Sequence, residues 1–415
     1  MNKKTLVLFF TIFLDLIGFG ILIPVIPILL ADPRSPEFLL PAGWTLSQGF
    51  ILLGYLTAVF PFFQFIAAPI LGQLSDRYGR KPILAISLAG TCLSYVLFAL
   101  GIITKNIPLL FVARAFDGIT GGNFVVAQAA IADVTTPENR VKTFGLFGAV
   151  FGLGFILGPY IGGKLSDPSF VSWFNSATPF WFAAILSFFN VISVLWIFQE
   201  TNQHINKDKA LRWSKSLQNI GHAYAARPLR AIFATNFLVQ AGFTFFTTFA
   251  SIFFITRLGF TQGNIGDYFA FIGLCSVFAQ GLVVRPLSGK VKPQTVLRIA
   301  ILLQGVMLLV FTLLQAPWQL YLVTPFFSLF TGLVQANSNG LISNSVAPTI
   351  QGEVLGINGS VQALAQSIPP VLSGYIAASL TPTTPLIIAG IVIMTGAFTF
   401  ILFHRSGPLV QNIAD

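Results

Sequence analysis

Three charged residues stand inside long apolar stretches of this sequence, where charge is expensive and therefore informative: Asp15, Arg114 and Asp117. At 1.5 Å per residue, Asp15 falls roughly 16 Å into the first apolar run, near the middle of a bilayer. A bare carboxylate there costs several kcal/mol, so it is expected to be protonated part of the time or paired with a cation. A carboxyl whose protonation follows its surroundings is what proton coupling needs. The plainer alternative is a neutral acid hydrogen-bonded to a neighbouring helix. Arg114 and Asp117, three residues apart, share one helix face and can neutralise each other. They form either a structural pair that lets a polar helix insert, or a site whose Arg114 reaches Asp15 and shifts its proton affinity.

A second cluster lies between two apolar runs, in Gly72-Gln73-Leu74-Ser75-Asp76-Arg77-Tyr78-Gly79-Arg80-Lys81-Pro82. An acid and three bases gathered around two glycines suggest a moving part, with Asp133 and Glu138 as candidate partners for Arg77 and Arg80. Asp76 would sit at the N-terminal dipole of the eleventh helix, near Gly352 and Glu353. The expected device is a conformational latch built from Gly72, Asp76, Arg77, Gly79, Arg80 and Asp133. Further on, Gly154, Gly158 and Gly162 recur every fourth residue beside Pro159 and Gly163. That spacing permits close helix approach, and the proline permits a kink, so packing and hinging are both open. Asn358, Gln362 and Gln366 form an amide stripe at i, i+4 and i+8. Their counterparts 211 positions earlier are Phe147, Phe151 and Phe155. With Gln240 and Asn337, the amides either line a substrate cavity or hold helices together.

The elements that must position these residues are membrane helices. Only 9% of the residues are charged and 55% are hydrophobic, with a mean hydropathy of +0.81. A soluble domain carries about a quarter of its residues as charges. The net charge of +10 falls in loops, as membrane topology rather than a nucleic-acid face. Twelve apolar segments are long enough to span: about 5–31, 47–73, 82–103, 107–133, 141–166, 178–199, 230–257, 263–288, 294–315, 318–346, 352–380 and 384–405. The first reads as a retained helix, since it lacks a small-residue cleavage site. Cys92 and Cys275 lie inside apolar segments and form no disulfide framework or metal motif.

Eighteen Lys and Arg fall on one set of alternate loops and the termini, and four on the other set. This places both termini in the cytoplasm. The polar stretch after the sixth segment carries six bases, and Trp213 and Leu217 suggest a short interfacial helix within it. The organisation expected is an N-terminal six-helix half at 1–199, a cytoplasmic linker at 200–229 and a C-terminal six-helix half at 230–415. The halves are related: Pro137/Pro348, Gly145/Gly356, Gly148/Gly359, Pro159/Pro370 and Gly163/Gly374 share an offset of 211. Such repeats are the plan of a rocking transporter with its site between the halves. There is no phosphate-binding loop and no zinc motif, so no ATP hydrolysis, cofactor or metal is expected.

Taken together, these motifs resemble the major facilitator superfamily, and within it the twelve-helix drug:proton antiporters. The Gly72–Pro82 loop is similar to the superfamily signature between helices two and three. Asp15-x-x-Gly18-x-Gly20 followed by Pro24 and Pro27 resembles the first-helix pattern of the drug antiporters. Arg114-x-x-x-Gly118 resembles their fourth-helix motif, and Gly154-x-x-x-Gly158-Pro159-x-x-Gly162-Gly163 their fifth-helix motif. The tetracycline-efflux branch is the most similar, including Ala132-Asp133. Those exporters carry an acid in the third helix shortly after Ser-Leu-Ala-Gly, whereas Ser87-Leu88-Ala89-Gly90 here leads to Ser94-Tyr95. The second-half counterpart of the signature, Gly281 to Pro286, keeps Arg285 but no acid.

The resemblance implies an all-α integral membrane protein of twelve helices in two pseudo-symmetric halves. It further implies a proton-coupled exporter of amphipathic organic compounds, working by alternating access in a bacterial inner membrane. Asp15, Arg114 and Asp117 would couple protons. A small organic substrate, protons and the bilayer are the expected partners of a monomer, with no nucleic acid and no enzymatic activity. The rivals are a metabolite symporter or uniporter of the same fold and, more remotely, a non-transporting membrane sensor or assembly protein. The fifth-helix Gly-Pro motif weighs against symport and Asp15 against simple uniport.

Overall fold

A run of some 20 apolar residues has no water to satisfy its backbone in a bilayer, so it closes its hydrogen bonds internally as a helix. The computed structural model follows that rule. It describes residues 3–135, 140–202, 205, 211–225, 227–287, 290–346 and 351–404 of the chain. All twelve apolar segments are helical; with a linker helix, α8, and two segments each divided in two, they give α1 (Lys3–Ala31), α2 (Leu46–Tyr78), α3 (Arg80–Ile103), α4 (Ile107–Thr120), α5 (Asn123–Asp133), α6 (Arg140–Leu165), α7 (Thr178–Trp196), α8 (Lys215–Ala225), α9 (Arg227–Leu258), α10 (Gln262–Ala279), α11 (Arg285–Leu287), α12 (Pro293–Leu313), α13 (Pro317–Asn344), α14 (Gln351–Ser379) and α15 (Thr384–Phe403). Nine spans among the described residues are long and apolar enough to cross a membrane by length and composition. The linker helix α8 exposes Trp213, just before it, and Leu217. It buries Asn219, whose amide donates to Ser360 at 2.9 Å.

Two expected helices are interrupted. The fourth segment breaks at Gly121-Gly122 into α4 and α5. A side chain at Gly122 would meet the Ala68 backbone at 2.9 Å, so the two glycines let the chain pass close to α2 there. The carbonyl of Gly121 accepts from the Gln64 side chain of α2 at 3.0 Å, which gives that backbone group a partner at the break. The eighth segment widens into a π turn at Gln280–Val284 before α11, at the position where the second repeat's signature is degraded.

The chain forms two compact units. One comprises Met1–Trp44, Val59–Lys215 and Phe260–Ala270; the other comprises Thr45–Ala58, Ser216–Gly259 and Phe271–Asp415. Relative to the sequence halves, each unit exchanges one short helix end. The repeat-related glycines Gly163 and Gly374 sit at these exchanges. A side chain at Gly163 would meet Gly266 Cα at 2.9 Å, and one at Gly374 would meet Ile51 Cα at 3.0 Å.

In the first unit, α1 packs on α6 while α3 packs on α4, α5 and α7. Its apolar core joins Leu8 and Ile12 of α1 to Leu84 and Leu88 of α3 and Ala127 and Ile131 of α5. In the second unit, α15 packs on α9 and α12, with α14 against α9. A triangle of buried rings, Phe246, Phe311 and Phe327, fills its centre at centroid separations of 5.2–5.8 Å.

Candidate functional site

The intramembrane charges of the first unit converge on one small region. Arg114 and Asp117 lie on the buried face of α4, where Nη1 donates to Asp117 Oδ2 at 3.0 Å. Of the two pairings open to the sequence, the structure adopts this intrahelical one. No bond from Arg114 to Asp15 is formed among the described residues. The Arg114 guanidinium lies 4.5 Å from the centroid of the Phe60 ring on α2, a cation–π contact strengthened by desolvation. Its Nε has no hydrogen-bond partner among the described residues.

Asp15 faces the start of α5 from α1. The Asn123 amide points toward it without closing a hydrogen bond of ordinary geometry, and Asp15 Oδ2 is enclosed and unpartnered among the described residues. Between the two charge centres stands Tyr95 of α3, 7% exposed. A narrow cavity on one side of it is lined by Asp15, Thr91, Ser187 and Asn190. A second, on the other side, is lined by Ser94, Arg114 and Asp117. Tyr95 lines both. In the sequence, Tyr95 is one more aromatic in an apolar run, at the point of α3 where an acid is missing. The available signal was a polar, hydroxyl-bearing side chain at the place where an acid was missing.

The α2–α3 turn builds a second constellation. Gly79 holds φ 101° and ψ 157°, a region essentially restricted to glycine, and so turns the chain from α2 into α3. Arg80 is 7% exposed and gathers three partners: Ser75 at 2.6 Å, Asp76 at 2.7 Å and Asp133 at 3.0 Å. This ties α2, α3 and α5 together within the one unit. Arg77 does not join Asp133; its guanidinium lies 5.4 Å from the Tyr78 ring. Nothing in this structure requires glycine at position 72, where an added side chain would make an ordinary contact with Val125 at 3.5 Å. Glu138 and the side chain of Glu353 lie outside the described residues, as do the surroundings of Gly352, so the expected contacts with them are not described.

Glu200, just after the sixth apolar segment, completes the turn. Its carboxylate accepts from the backbone N–H of Arg80 (2.9 Å), Lys81 (3.0 Å), Thr201 (2.9 Å) and Asn202 (2.9 Å). It therefore caps α3 in place of the Gly79 side chain that does not exist. Partial burial pushes this carboxyl up, but the amides of Asn202, Arg80, Lys81 and Thr201 outweigh it and hold the group below its ordinary value. The signal for it was a lone acid ending an apolar run at a loop otherwise rich in bases.

The fifth-helix glycines meet α1 backbone to backbone. A side chain at Gly158 would come within 2.8 Å of Gly20 Cα and of the Ile17 carbonyl. One at Gly162 would come within 2.7 Å of the Ile21 carbonyl. Gly154 faces Leu16, and Pro159 packs at Gly20. Packing is thus a sufficient reason for the stripe, and it presses α6 against the helix that bears Asp15.

The amides of the second unit divide. Asn358 is buried and accepts from Asn236 Nδ2 at 2.9 Å, and Asn236 in turn accepts from Ser338. That chain joins α9, α13 and α14, so the Asn358 amide holds helices together. Asn337 donates back to the Leu333 carbonyl at 2.8 Å, and it is half-buried, as are Gln240, Gln362 and Gln366. The side chains of Phe147, Phe151 and Phe155 lie outside the described residues.

Multiple spanning helices, a glycine-packed helix pair and buried opposite charges define a multi-pass membrane protein. The family model of the Major Facilitator Superfamily matches residues 8–370, and the chain belongs to that superfamily. The tetracycline resistance protein, class H, of Pasteurella multocida is 32% identical over 91% of this chain and 89% of its own length. The multidrug resistance protein 2 of Bacillus subtilis is 27% identical over 95% of this chain and 94% of its own length. Among solved structures, a D-xylose–proton symporter superposes with a TM-score of 0.79 at 16% identity, covering 97% of this chain and 98% of that one, which shows the fold.

Proposed function

We propose that this protein is a proton-coupled efflux transporter of amphipathic organic compounds, an antiporter rather than an enzyme, in the inner membrane of a bacterium. The observation that carries the proposal is Asp15, enclosed in the first unit beside the buried Arg114–Asp117 pair. An acid there is costly unless it is used, and intramembrane acids mark ion and proton paths. Its setting supports antiport: release of an organic cation or neutral drug is exchanged for proton uptake at Asp15, and the proton leaves on the opposite side after the protein changes its access. The relatives named for resistance to tetracycline and to multiple drugs support the substrate class, and the bias of Lys and Arg supports cytoplasmic termini.

Arg114 has a defined part in this reading. It balances Asp117 whenever that acid is ionised, as in the pair the structure forms. The helix pairing through Gly158 and Gly162 keeps α1 at fixed distance from α6, so the carboxyl is carried by a rigid element. The network around Arg80 serves as the conformational latch of the same unit, with Asp76 and Asp133 as its acids.

Purified protein in proteoliposomes, challenged with a drug panel that includes tetracycline, tests the proposal. Substrate-driven proton movement is expected in the wild type and its loss is expected in Asp15→Asn. Wild-type proton movement in Asp15→Asn overturns the assignment of Asp15.

A further inference from the structure

We infer that the Tyr95 hydroxyl is a proton link between Asp15 and the Arg114–Asp117 pair, working through one water molecule on each side of its ring edge. This inference rests on the proton-coupled reading above and adds a residue and a route to it.

Three features of the structure converge on Tyr95. First, it is shared by the two cavities that otherwise separate the charges, with Asp15 lining one and Arg114 and Asp117 the other. Each cavity is about 10 Å³, the space of a single water, and each is walled by polar atoms that can hold one: Thr91 and Asn190 on the first side, Ser94 on the second. The Asn190 Nδ2 has no other partner among the described residues. Second, the hydroxyl is placed by a missing side chain. Gly18 lies one turn of α1 beyond Asp15, and a methyl group there would overlap the Tyr95 oxygen. Only glycine at 18 lets the ring reach α1. Third, the Tyr95 hydroxyl makes no hydrogen bond within the described residues, which leaves it open to a water in either cavity that its side chain lines.

The titratable and charged groups that face Tyr95 are Asp117 and Arg114 from α4, Asp15 from α1 and Cys92 from its own helix. A tyrosine hydroxyl both donates and accepts, which neither Phe nor a carboxylate anion can do. The transfer starts from protonated Asp117 and ionised Asp15. The hydroxyl gives its proton to the water beside Asp15, which passes one on to the Asp15 carboxylate. In the same step it accepts one from the water beside Asp117, which takes one from the Asp117 carboxyl. Asp15 is left protonated and Asp117 ionised against Arg114. One proton has moved, and the phenol is restored within the same step. The reverse transfer discharges Asp15 by the same atoms. The distance spanned by one aromatic side chain thus replaces the direct Arg114–Asp15 contact that this structure does not form.

The test uses full-length protein in proteoliposomes, with Tyr95→Phe and Gly18→Ala beside the wild type. Four quantities are read: drug binding without a gradient, drug-driven proton uptake, its pH profile, and its rate in D₂O against H₂O. Tyr95→Phe should bind drug as the wild type does. It should lose drug-driven proton uptake by about a hundredfold, the low end of what a positioned proton donor contributes. Gly18→Ala, which displaces the hydroxyl but keeps it, should lose the same step. The solvent isotope effect seen in the wild type should vanish from whatever flux remains. If Tyr95→Phe moves protons at the wild-type rate with an unchanged isotope effect, the link is refuted. If Tyr95→Phe does not fold, wild-type proton flux in Gly18→Ala refutes it equally. A wild type that moves drug without protons removes the coupling itself, and the relay with it.

Discussion

Replacing Glu200 perturbs the α2–α3 turn without touching any intramembrane charge, and its cost follows from four hydrogen bonds. The carboxylate receives the N–H groups of Arg80 and Lys81, two of the first-turn donors of α3, and those of Thr201 and Asn202. Losing an N-cap side chain costs about 0.5–2 kcal/mol, and the charge at a helix N-terminus adds about 0.3–1 kcal/mol. Glu200 is half-buried, so water replaces part of what is lost, and the sum for Glu200→Ala settles at roughly 1–2 kcal/mol. That corresponds to a fall in the thermal midpoint of roughly 2–6 °C in detergent. The folded-state value of this carboxyl lies below its unfolded one, so its contribution is complete above the unfolded value and disappears as pH falls through the folded value. The gap between wild type and Glu200→Ala should therefore be full at about pH 7 and close on acidification below about pH 4. Thermal unfolding of both proteins followed across that range checks it. A variant as stable as the wild type at neutral pH, or a gap that widens on acidification, refutes the capping role.

Two further outcomes follow from the same geometry. Gly158→Ala forces a methyl against the Gly20 and Ile17 backbones, which cannot yield as a side chain can; a loss of about 1–3 kcal/mol in stability is expected, read as a lowered thermal midpoint with transport falling in proportion. Asp76→Asn leaves Arg80 with Asp133 and Ser75, so the fold should survive while transport slows and the balance between inward- and outward-open states, read by accessibility labelling of introduced cysteines, shifts; unchanged transport and balance would reduce the loop to a topology anchor.

Much of the fold was legible because apolar length forces helix in a bilayer, and all twelve apolar segments are helical. The breaks were not legible. Gly121-Gly122 reads as two tolerated glycines in a helix, and only the approach of α2, with Gln64 beside the Gly121 carbonyl, makes it an interruption. The candidate site was half legible. Asp15, Arg114 and Asp117 announce themselves by charge in apolar sequence, as do the motif residues of the α2–α3 turn. Tyr95 and Glu200 did not, since a tyrosine in an apolar run and an acid at a loop edge are both ordinary until their neighbours are known.

By itself, the sequence determined that this is a membrane protein of repeated helices with a costly acid near mid-bilayer and a charged turn, because those properties depend on composition and on periods along one chain. Tertiary structure alone decided which charge answers which. Arg114 can face Asp117 or Asp15 with equal ease on paper, and its choice depends on the rotation of α4 against α1, α2 and α3. A few tens of degrees about a helix axis leaves every sequence interval unchanged and still changes every partner.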